Sequence, residues 1–242
     1  MIDVLKFVAV AFVSMGGAFV QRTSGFGFGI FVMLFFPYLM PSHASAAAVS
    51  SFLSCGTSTY NAVTNRKHLR LKLVFPMLIS AALVIPFAVY FSAYASARVM
   101  KIMLGCVLIL FSLYFLFLGG KVRLRPTMVN GLISGTLGGA LSGLFSTGGP
   151  PAVLYLVHAT EDKQIYFATI QTYFLLTNLY STVFRVINGV IDRNVIFFAL
   201  VGAVGAILGN FLGSAVFRRL NERKLKLVIY IGMIISGILM LF

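Results

Sequence analysis

Two glycine-rich breaks interrupt apolar stretches of this sequence, and their residue types suit the binding of an anion. The first reads S-G-F-G-F-G over 24–29 and the second S-T-G-G-P-P over 146–151, with Gly25 and Gly148 separated by 123 residues. A helix that begins at a break presents unpaired N–H groups and a partial positive charge, and glycine lets the backbone approach a ligand closely. Close helix packing is the alternative role of such glycines, and it explains Gly-Gly-Pro-Pro poorly. We predict that the breaks bind substrate through Ser24, Gly25, Gly27, Gly29, Ser146, Thr147, Gly148, Gly149 and Pro150.

A polar face on the predicted helix over 165–187 supplies further candidates. Gln171, Asn178 and Arg185 recur at a spacing of seven, which places them on one side of a helix. Polar side chains at bilayer depth usually face the bundle interior or an aqueous path, and interhelical hydrogen bonding is the alternative. Arg22 adjoins the first break, where it could counter an anion or anchor at the membrane surface, as Arg185 could by snorkelling. We predict all four side chains as substrate contacts. A comparable stripe in the first half carries Ser51, Ser54, Ser58 and Asn61.

The acidic residues argue against a cation site. All five fall in loops or at the ends of apolar segments: Asp3, Glu161, Asp162, Asp192 and Glu222. A span without carboxylates lacks the usual proton relay or cation ligands, so a site with arginines and helix N-termini should prefer anions. We therefore predict no metal and no cofactor. Protons are a candidate coupling ion because the chain places histidines, His43 and His158, beside the two half-helices, and histidine is the side chain suited to a proton switch, although both could instead be interfacial anchors.

The composition indicates a multi-pass membrane protein. Of 242 residues, 60% are hydrophobic and 10% are charged, and the mean hydropathy is +0.99. The net charge of +14 comes from basic residues in short loops, such as 65–72, 119–125 and 217–226. This is the pattern of cytoplasmic loops in an inner (plasma) membrane protein, and no folded module presents these residues to nucleic acid. We expect the first apolar segment to be retained rather than cleaved as a signal peptide.

The apolar segments predict an all-α fold with about eight hydrophobic helices. They run over 4–20, 30–40, 43–64, 73–94, 99–118, 127–145, 151–159, 165–187, 194–217 and 226–242. A full crossing needs about 20 residues, so the segments over 30–40 and 151–159 are predicted as half-helices.

The two halves of the chain are predicted to be repeats. A shift of 123 residues superposes S-T-x5-N-x4-R-x4-F at 58–75 on its copy at 181–198. The basic loops lie on opposite sides of the two copies, which indicates inverted repeats over 1–120 and 121–242. Each half then consists of a re-entrant, broken-helix hairpin followed by three transmembrane helices, with both termini outside the cytoplasm. Paired broken segments of this kind typically mark the binding site of a secondary transporter.

The order of these motifs resembles the sulfite exporter TauE/SafE family of membrane permeases. The resemblance rests on G-F-G-F-G and the Ala-rich stretch over 43–48, on G-G-P-P-A-V-L-Y-L and F-A-T-I-Q-T-Y-F in the second half, and on I-N-G-V-I-D near the end. It covers nearly the full length and implies transport of small sulfur-containing anions such as sulfite, sulfonates, sulfoacetate or thiosulfate. It also implies that recurring motif positions are filled by Gly25, Gly27, Gly29, Gly148, Gly149, Pro150 and Gln171.

We therefore predict a non-enzymatic, secondary-active anion transporter that works by alternating access. One alternative is a transmembrane thiol–disulfide electron carrier, although Cys55 and Cys106 both lie in the first half and form no symmetric pair. A passive anion channel is a second alternative. An intramembrane serine protease would need Ser134 and His158 to form a dyad, which the intervening proline break disfavours. No phosphate-binding G-x-x-x-x-G-K-[ST] loop is present, so the chain is not predicted to hydrolyse ATP.

Overall fold

The computed structural model describes residues 2–118, 125–160, 162–216 and 222–241, and every regular element in these ranges is helical. Glu161 and most of the basic residues predicted in the loops 119–125 and 217–226 lie outside the described residues or at their margins. The helices are α1 (Ile2–Ser24), α2 (Phe28–Met33), α3 (Phe36–Leu39), α4 (His43–Thr64), α5 (Leu71–Tyr94), α6 (Ala97–Leu113), α7 (Met128–Phe145), α8 (Gly149–Ala159), α9 (Lys163–Ile187), α10 (Arg193–Val216) and α11 (Glu222–Leu241). A 3-10 turn over Arg66–His68 and a π-helical turn over Tyr114–Leu118 complete the regular elements of the described ranges.

Five helical segments in the described ranges are long and apolar enough to cross a membrane. They are Val4–Ser24, Leu71–Tyr94, Ala97–Phe117, Met128–Phe145 and Arg193–Ala215, and the apolar helix Tyr230–Leu241 is shorter. Helices α4 and α9 have the required length, with 22 and 25 residues, but each carries a polar face. The predicted all-α membrane class is thereby confirmed, while the inverted repeat and the re-entrant hairpins stay predictions.

The two predicted half-helices differ from the structure in their bounds. The segment over 30–40 is not one helix, because α2 ends at Met33 and α3 begins at Phe36. Pro37 explains the interruption, since it has no N–H to continue the hydrogen-bond ladder from α2. The other half-helix, α8, begins at Gly149, two residues earlier than predicted, with its prolines in the first turn where missing N–H groups cost nothing.

Two helix pairs pack with their backbones in contact through glycine. A Cβ atom at Gly205 or Gly209 of α10 would overlap the carbonyl oxygen of Ala11 or Met15 of α1. In the same way, α7 packs on α5 through glycines at positions 131, 135, 139 and 143. Both pairs are parallel, because contacts advance together along the two helices. Small residues allow this close approach in membrane helices.

The centre of the bundle is formed by α4 and α9, which run antiparallel. Asn178 Nδ2 donates to Ser54 Oγ at 3.2 Å, while Thr169, nearer the start of α9, accepts from the N–H of Arg70, just beyond the end of α4, at 3.3 Å. Helices α6 and α11 are also antiparallel, since Ser112 Oγ donates to the carbonyl of Tyr230 at 2.6 Å and Gly105 faces Gly237. The polar faces of α4 and α9 therefore meet inside the bundle.

Candidate functional site

The first break and the end of α7 adopt backbone conformations that few residues tolerate. Gly25 and Gly27 have φ values of 83° and 99°, in the left-handed region that favours glycine. Ser146, which ends α7, has a φ of 58°, and in the described residues it is the one non-glycine residue with a positive φ. Unusual dihedrals at non-glycine positions cluster at ligand sites, where the surrounding structure must hold them.

The two breaks meet at one point inside the bundle. A Cβ atom at Gly29 would overlap the carbonyl oxygen of Ser146, and one at Gly149 would lie 3.5 Å from the ring of Phe26. A small cavity lies beside this contact and is lined by residues of both breaks. Its volume of about 20 Å³, measured for the centre of a water-sized group, leaves room for about one such group. The cavity is lined by Gln21, Gly27, Phe28, Gly29, Ile30, Ser54, Ser142, Ser146, Thr147, Gly148, Gly149, Phe174 and Asn178.

Two hydroxyl groups at the cavity have no hydrogen-bond partner. Ser142 and Thr147 are both buried, and neither Ser142 Oγ nor Thr147 Oγ1 is bonded. A buried hydroxyl without a partner costs free energy, so such groups at a cavity commonly await a ligand or water. In addition, none of the cavity-lining residues carries a charged side chain. The cavity therefore offers neutral hydrogen-bond donors and no acidic group.

Gln21 and Gln171 join the first break to the polar face of α9. Gln21 Nε2 donates to Gln171 Oε1 and to Ser58 Oγ, both at 2.9 Å, and Gln171 Nε2 donates to the carbonyl oxygen of Gly25 at 2.7 Å. Thr57 Oγ1 donates to Gln21 Oε1 at 2.8 Å. Both glutamines are almost fully buried. This network holds the first break against α4 and α9.

Asn178 performs the corresponding task at the second break. Its Oδ1 accepts from Ser146 Oγ at 3.0 Å, and its Nδ2 donates to Ser54 Oγ at 3.2 Å and to the carbonyl of Phe174 at 2.8 Å. The side chain thus positions Ser146, whose backbone is the strained one, beside the cavity.

Arg22 lies on one side of the cavity, at an open vestibule. Its Nε donates to Ser214 Oγ and one terminal nitrogen donates to Asn61 Oδ1, both at 2.8 Å. Its guanidinium also lies 5.7 Å from the centre of the Phe167 ring, within cation–π range. The vestibule has a volume of about 380 Å³ and is lined by Arg22, Asn65, Lys163, Gln164, Phe167 and Ser214.

Arg185 lies on the other side of the cavity and is completely buried. One terminal nitrogen donates to the carbonyl oxygens of Gly143 at 2.7 Å and Ser142 at 3.3 Å. The Nε and the other terminal nitrogen have no partner in the described parts of the chain. The nearest acidic residue in sequence, Asp192, instead caps α10 by accepting from the N–H of Val195 at 2.8 Å.

The structure brings seven of the predicted site residues together at the cavity. They are Gly27, Gly29, Ser146, Thr147, Gly148, Gly149 and Asn178. Six others do not line it: Arg22, Ser24, Gly25, Pro150, Gln171 and Arg185. Ser24 has a local explanation, because its hydroxyl donates to the carbonyls of Val20 and Phe26 at 2.8 and 2.7 Å, as serine at a helix end commonly does.

Three polar cavity residues were not among the predicted contacts. Gln21 carried a usable signal, as an uncharged polar residue inside the first apolar span directly before the break. Ser142 is one of several small residues in the glycine-rich α7, and nothing in the sequence distinguishes it. Ser54 belongs to the polar stripe of α4 that the sequence did indicate.

Histidine, cysteine and acidic side chains outside the cavity offer no metal-binding cluster in the part of the chain that the structure describes, since no three of them are grouped as metal ligands would be. Cys55 is partly buried on α4, Cys106 is exposed on α6, and both are free thiols. In the loop before α9, the backbone N–H groups of Ile165 and Gln164 lower the pKa of the Asp162 carboxyl group, which caps that helix.

Comparison with known proteins identifies relatives over most of the chain. Residues 9–240 match the sequence profile of the family described as "Sulfite exporter TauE/SafE". The chain is also 25% identical over 205 residues to a protein of Cupriavidus necator named "Probable sulfite/organosulfonate exporter TauE", covering 81% of this chain and 78% of that protein. No solved structure matches the chain significantly.

Proposed function

This chain belongs to the sulfite exporter TauE/SafE family, and from that premise we propose that it is a secondary-active transporter of small sulfur-containing anions. The family is one of membrane exporters, and the name of the Cupriavidus necator relative includes sulfite and organosulfonates. The observation that carries the proposal is the small cavity at the two breaks. Its lining combines unpaired Ser142 and Thr147 hydroxyls with no carboxylate, which suits an anion and disfavours a cation.

The proposed substrate contacts divide into two groups. Thr147 and Ser142 would donate hydroxyl protons to the oxygen atoms of the anion, and the N-terminus of the eleven-residue helix α8 adds a favourable dipole. The Ser146 hydroxyl already donates to Asn178 Oδ1, so Ser146 would shape the site rather than donate to the anion. Gln171 and Asn178 would orient the two breaks rather than carry the charge, since both already bind the break residues. Sulfite has three oxygen atoms and exceeds the present room for one water-sized group, so we infer that the cavity widens when it holds the anion.

Two inverted repeats, over 1–120 and 121–242, form part of the proposal, and the helix packing supports them. In the proposed repeat α1 corresponds to α7, α5 to α10, α4 to α9 and α6 to α11. The pair α1–α10 then corresponds to the pair α7–α5, and both pairs are parallel and close through glycine.

Exchange of the two halves would exchange α4 with α9 and α6 with α11, so the proposed symmetry maps each of these two pairs onto itself. Both are antiparallel, so a two-fold axis relating the halves must be perpendicular to these helices. In a membrane such an axis lies in the bilayer plane, which is the geometry of an inverted repeat. The short α2–α3 and α8 segments would then enter the membrane from opposite sides as broken, re-entrant helices.

The direction of the helices supports an orientation in the cell membrane. Arg22 of α1 contacts Asn61 near the end of α4 and Ser214 near the end of α10, so these three helices end at the same face. In the sequence, the basic segments over 65–72 and 217–226 follow the ends of α4 and α10. We place this face in the cytoplasm and both termini on the opposite side, as expected for an inner membrane protein.

The proposal is tested by the thermal stability of the purified protein against a panel of anions at equal ionic strength. The panel contains sulfite, thiosulfate, sulfate, sulfoacetate, taurine, acetate and chloride. A ligand at ~100 times its dissociation constant stabilises by ~2.7 kcal/mol, which corresponds to a rise in melting temperature of roughly 5–10 °C for a protein of this size. We expect a selective rise with one sulfur-containing anion, and a much smaller rise in Gln171→Leu. Equal melting temperatures with all seven anions would contradict a selective sulfur-anion site.

A further inference from the structure

The two arginines on either side of the central cavity differ in exposure, since Arg22 lines an open vestibule of about 380 Å³ and Arg185 is fully buried. This difference bears on how a transport pathway through the cavity would open at its two ends. Helix α9 gives their separation, because Phe167 at the vestibule precedes Arg185 by 18 residues, which is roughly 27 Å at ~1.5 Å per residue. Asn178 at the cavity lies between these two points on α9. The vestibule, the cavity and Arg185 therefore follow one another along a single helix.

The environment of Arg185 is not that of a structural arginine. A guanidinium group has five N–H donors, and in this case only one nitrogen has acceptors, both of them backbone carbonyls of α7. The other two nitrogens are buried without a partner, and no ion pair involves this side chain within the described residues. A buried, uncompensated charge is strongly unfavourable. A stable fold that keeps such a group therefore suggests that an anion meets it in another conformation.

In the proposed repeat, the contact that Arg185 makes lies between the helices equivalent to those that Arg22 joins, although the shift of 123 residues aligns Arg22 with Phe145 and Arg185 with Ala62. Arg22 contacts Asn61 across the α1–α4 pair, and Arg185 contacts Gly143 across the α7–α9 pair, which is the same pair in the other half. Because the halves would be inverted, the two arginines lie towards opposite faces of the membrane. Arg22 is at the open mouth of the pathway, and Arg185 is covered by α7, whose Ser142 and Gly143 carbonyl oxygens accept its hydrogen bonds.

We propose that Arg185 is the anion contact at the closed mouth of the pathway, and that transport exposes Arg22 and Arg185 alternately. This inference rests on the proposed transport function. The present conformation is then the one open to the vestibule side. Movement of α7 away from α9 would open the other side of the pathway. Arg185 would then contact solvent and bind the anion before its release, while Arg22 becomes enclosed.

The first test compares Arg185→Met with Arg193→Met in melting temperature and in sulfite transport by proteoliposomes. Arg193 is an exposed arginine at the start of α10, so it controls for loss of a positive charge on the same side. We expect Arg185→Met to raise the melting temperature by ~3 °C or more, because it removes an unpaired buried charge, and to reduce transport at least about tenfold. Arg193→Met should leave both unchanged. A lower melting temperature in Arg185→Met would show a structural arginine, and undiminished transport would also overturn the inference.

The second test does not depend on the fate of the arginine variant. In a Cys55→Ser, Cys106→Ser background, Ser181→Cys places a thiol one helical turn before Arg185, at a fully buried position. Gln164→Cys at the vestibule is the control. A membrane-impermeant maleimide should label Gln164→Cys from the vestibule face of the resting protein. It should label Ser181→Cys from the opposite face only, and only while sulfoacetate is being transported. Labelling of Ser181→Cys from the vestibule face, or its absence during transport, would overturn the inference.

The two hypotheses fail in different ways. If the wild-type protein transports no sulfur-containing anion, the proposed function fails and the inference fails with it. If the wild type transports sulfite and Arg185→Met does so equally well, the proposed function stands and the alternating role of Arg185 is wrong.

Discussion

The contact between Gly29 and Ser146 is the sharpest prediction of the structure, because it joins the two breaks through backbone atoms alone. A Cβ atom at Gly29 would overlap the Ser146 carbonyl oxygen and would lie 2.9 Å from the carbonyl carbon. Backbone cannot rotate away as a side chain can, so Gly29→Ala must push the breaks apart. Overpacking of this kind costs ~1–3 kcal/mol, against a gain of up to ~1 kcal/mol from the higher helix propensity of alanine. We expect a net loss of ~1–2 kcal/mol, or a fall of roughly 2–8 °C in melting temperature.

Gly56→Ala is the matched control for this experiment. Gly56 lies inside α4, and a Cβ atom there would have no atom within 4 Å. The melting temperature of Gly56→Ala should therefore stay constant or rise slightly, since alanine is favoured over glycine in a helix. Sulfite transport by proteoliposomes should fall at least about tenfold in Gly29→Ala and remain normal in Gly56→Ala, because only the former changes the cavity. If the two variants behave alike in both assays, the breaks are not in the contact described here.

Three further predictions concern an unpaired hydroxyl, a hydroxyl that is already hydrogen-bonded, and the two free thiols. Thr147→Val removes a buried, unpaired hydroxyl, so it should weaken sulfite binding severalfold while the melting temperature stays constant or rises. Thr172→Val, whose hydroxyl bonds within α9 at 2.9 Å, should bind normally, and an equal effect in both variants would remove Thr147 from the site. Ser24→Ala should keep transport within about twofold of the wild type, because this hydroxyl already bonds to its own backbone, and a large loss would restore Ser24 as a contact. Cys55→Ser combined with Cys106→Ser should transport at the wild-type rate; inactivity would favour the thiol–disulfide carrier instead.

Local sequence signals predicted the breaks and the polar face of α9 because each depends on residues close together in the chain. Glycine and proline fix the position of a break, and a spacing of seven fixes a helical face. Asn178 and Ser146, which these two signals indicated, both line the cavity and are hydrogen-bonded to each other. By contrast, Gln21 bonds to Gln171 across 150 residues, and the sequence holds no local signal for that pairing.

Arg185 shows why burial was harder to predict than position. One turn from the end of a helix, arginine usually extends to the interface, and the sequence allowed that alternative. In the structure α7 covers the side chain, and the backbone carbonyl oxygen of Gly143 on α7 accepts its hydrogen bond at 2.7 Å. Similarly, the predicted half-helix over 30–40 is divided at Pro37, since a hydrophobic segment does not reveal where its hydrogen-bond ladder is interrupted.

Counterflow of radiolabelled sulfite into proteoliposomes tests the central claim most directly, namely that a sulfur-containing anion crosses the protein at the cavity between the breaks. The wild-type protein should show saturable uptake that is accelerated by unlabelled sulfite inside the vesicles. Gln171→Leu and Asn178→Leu should abolish this uptake while inserting into the membrane normally, because each releases one break from α9. Unsaturable uptake with an ohmic anion current would indicate a channel, and wild-type counterflow in both variants would contradict the location of the site.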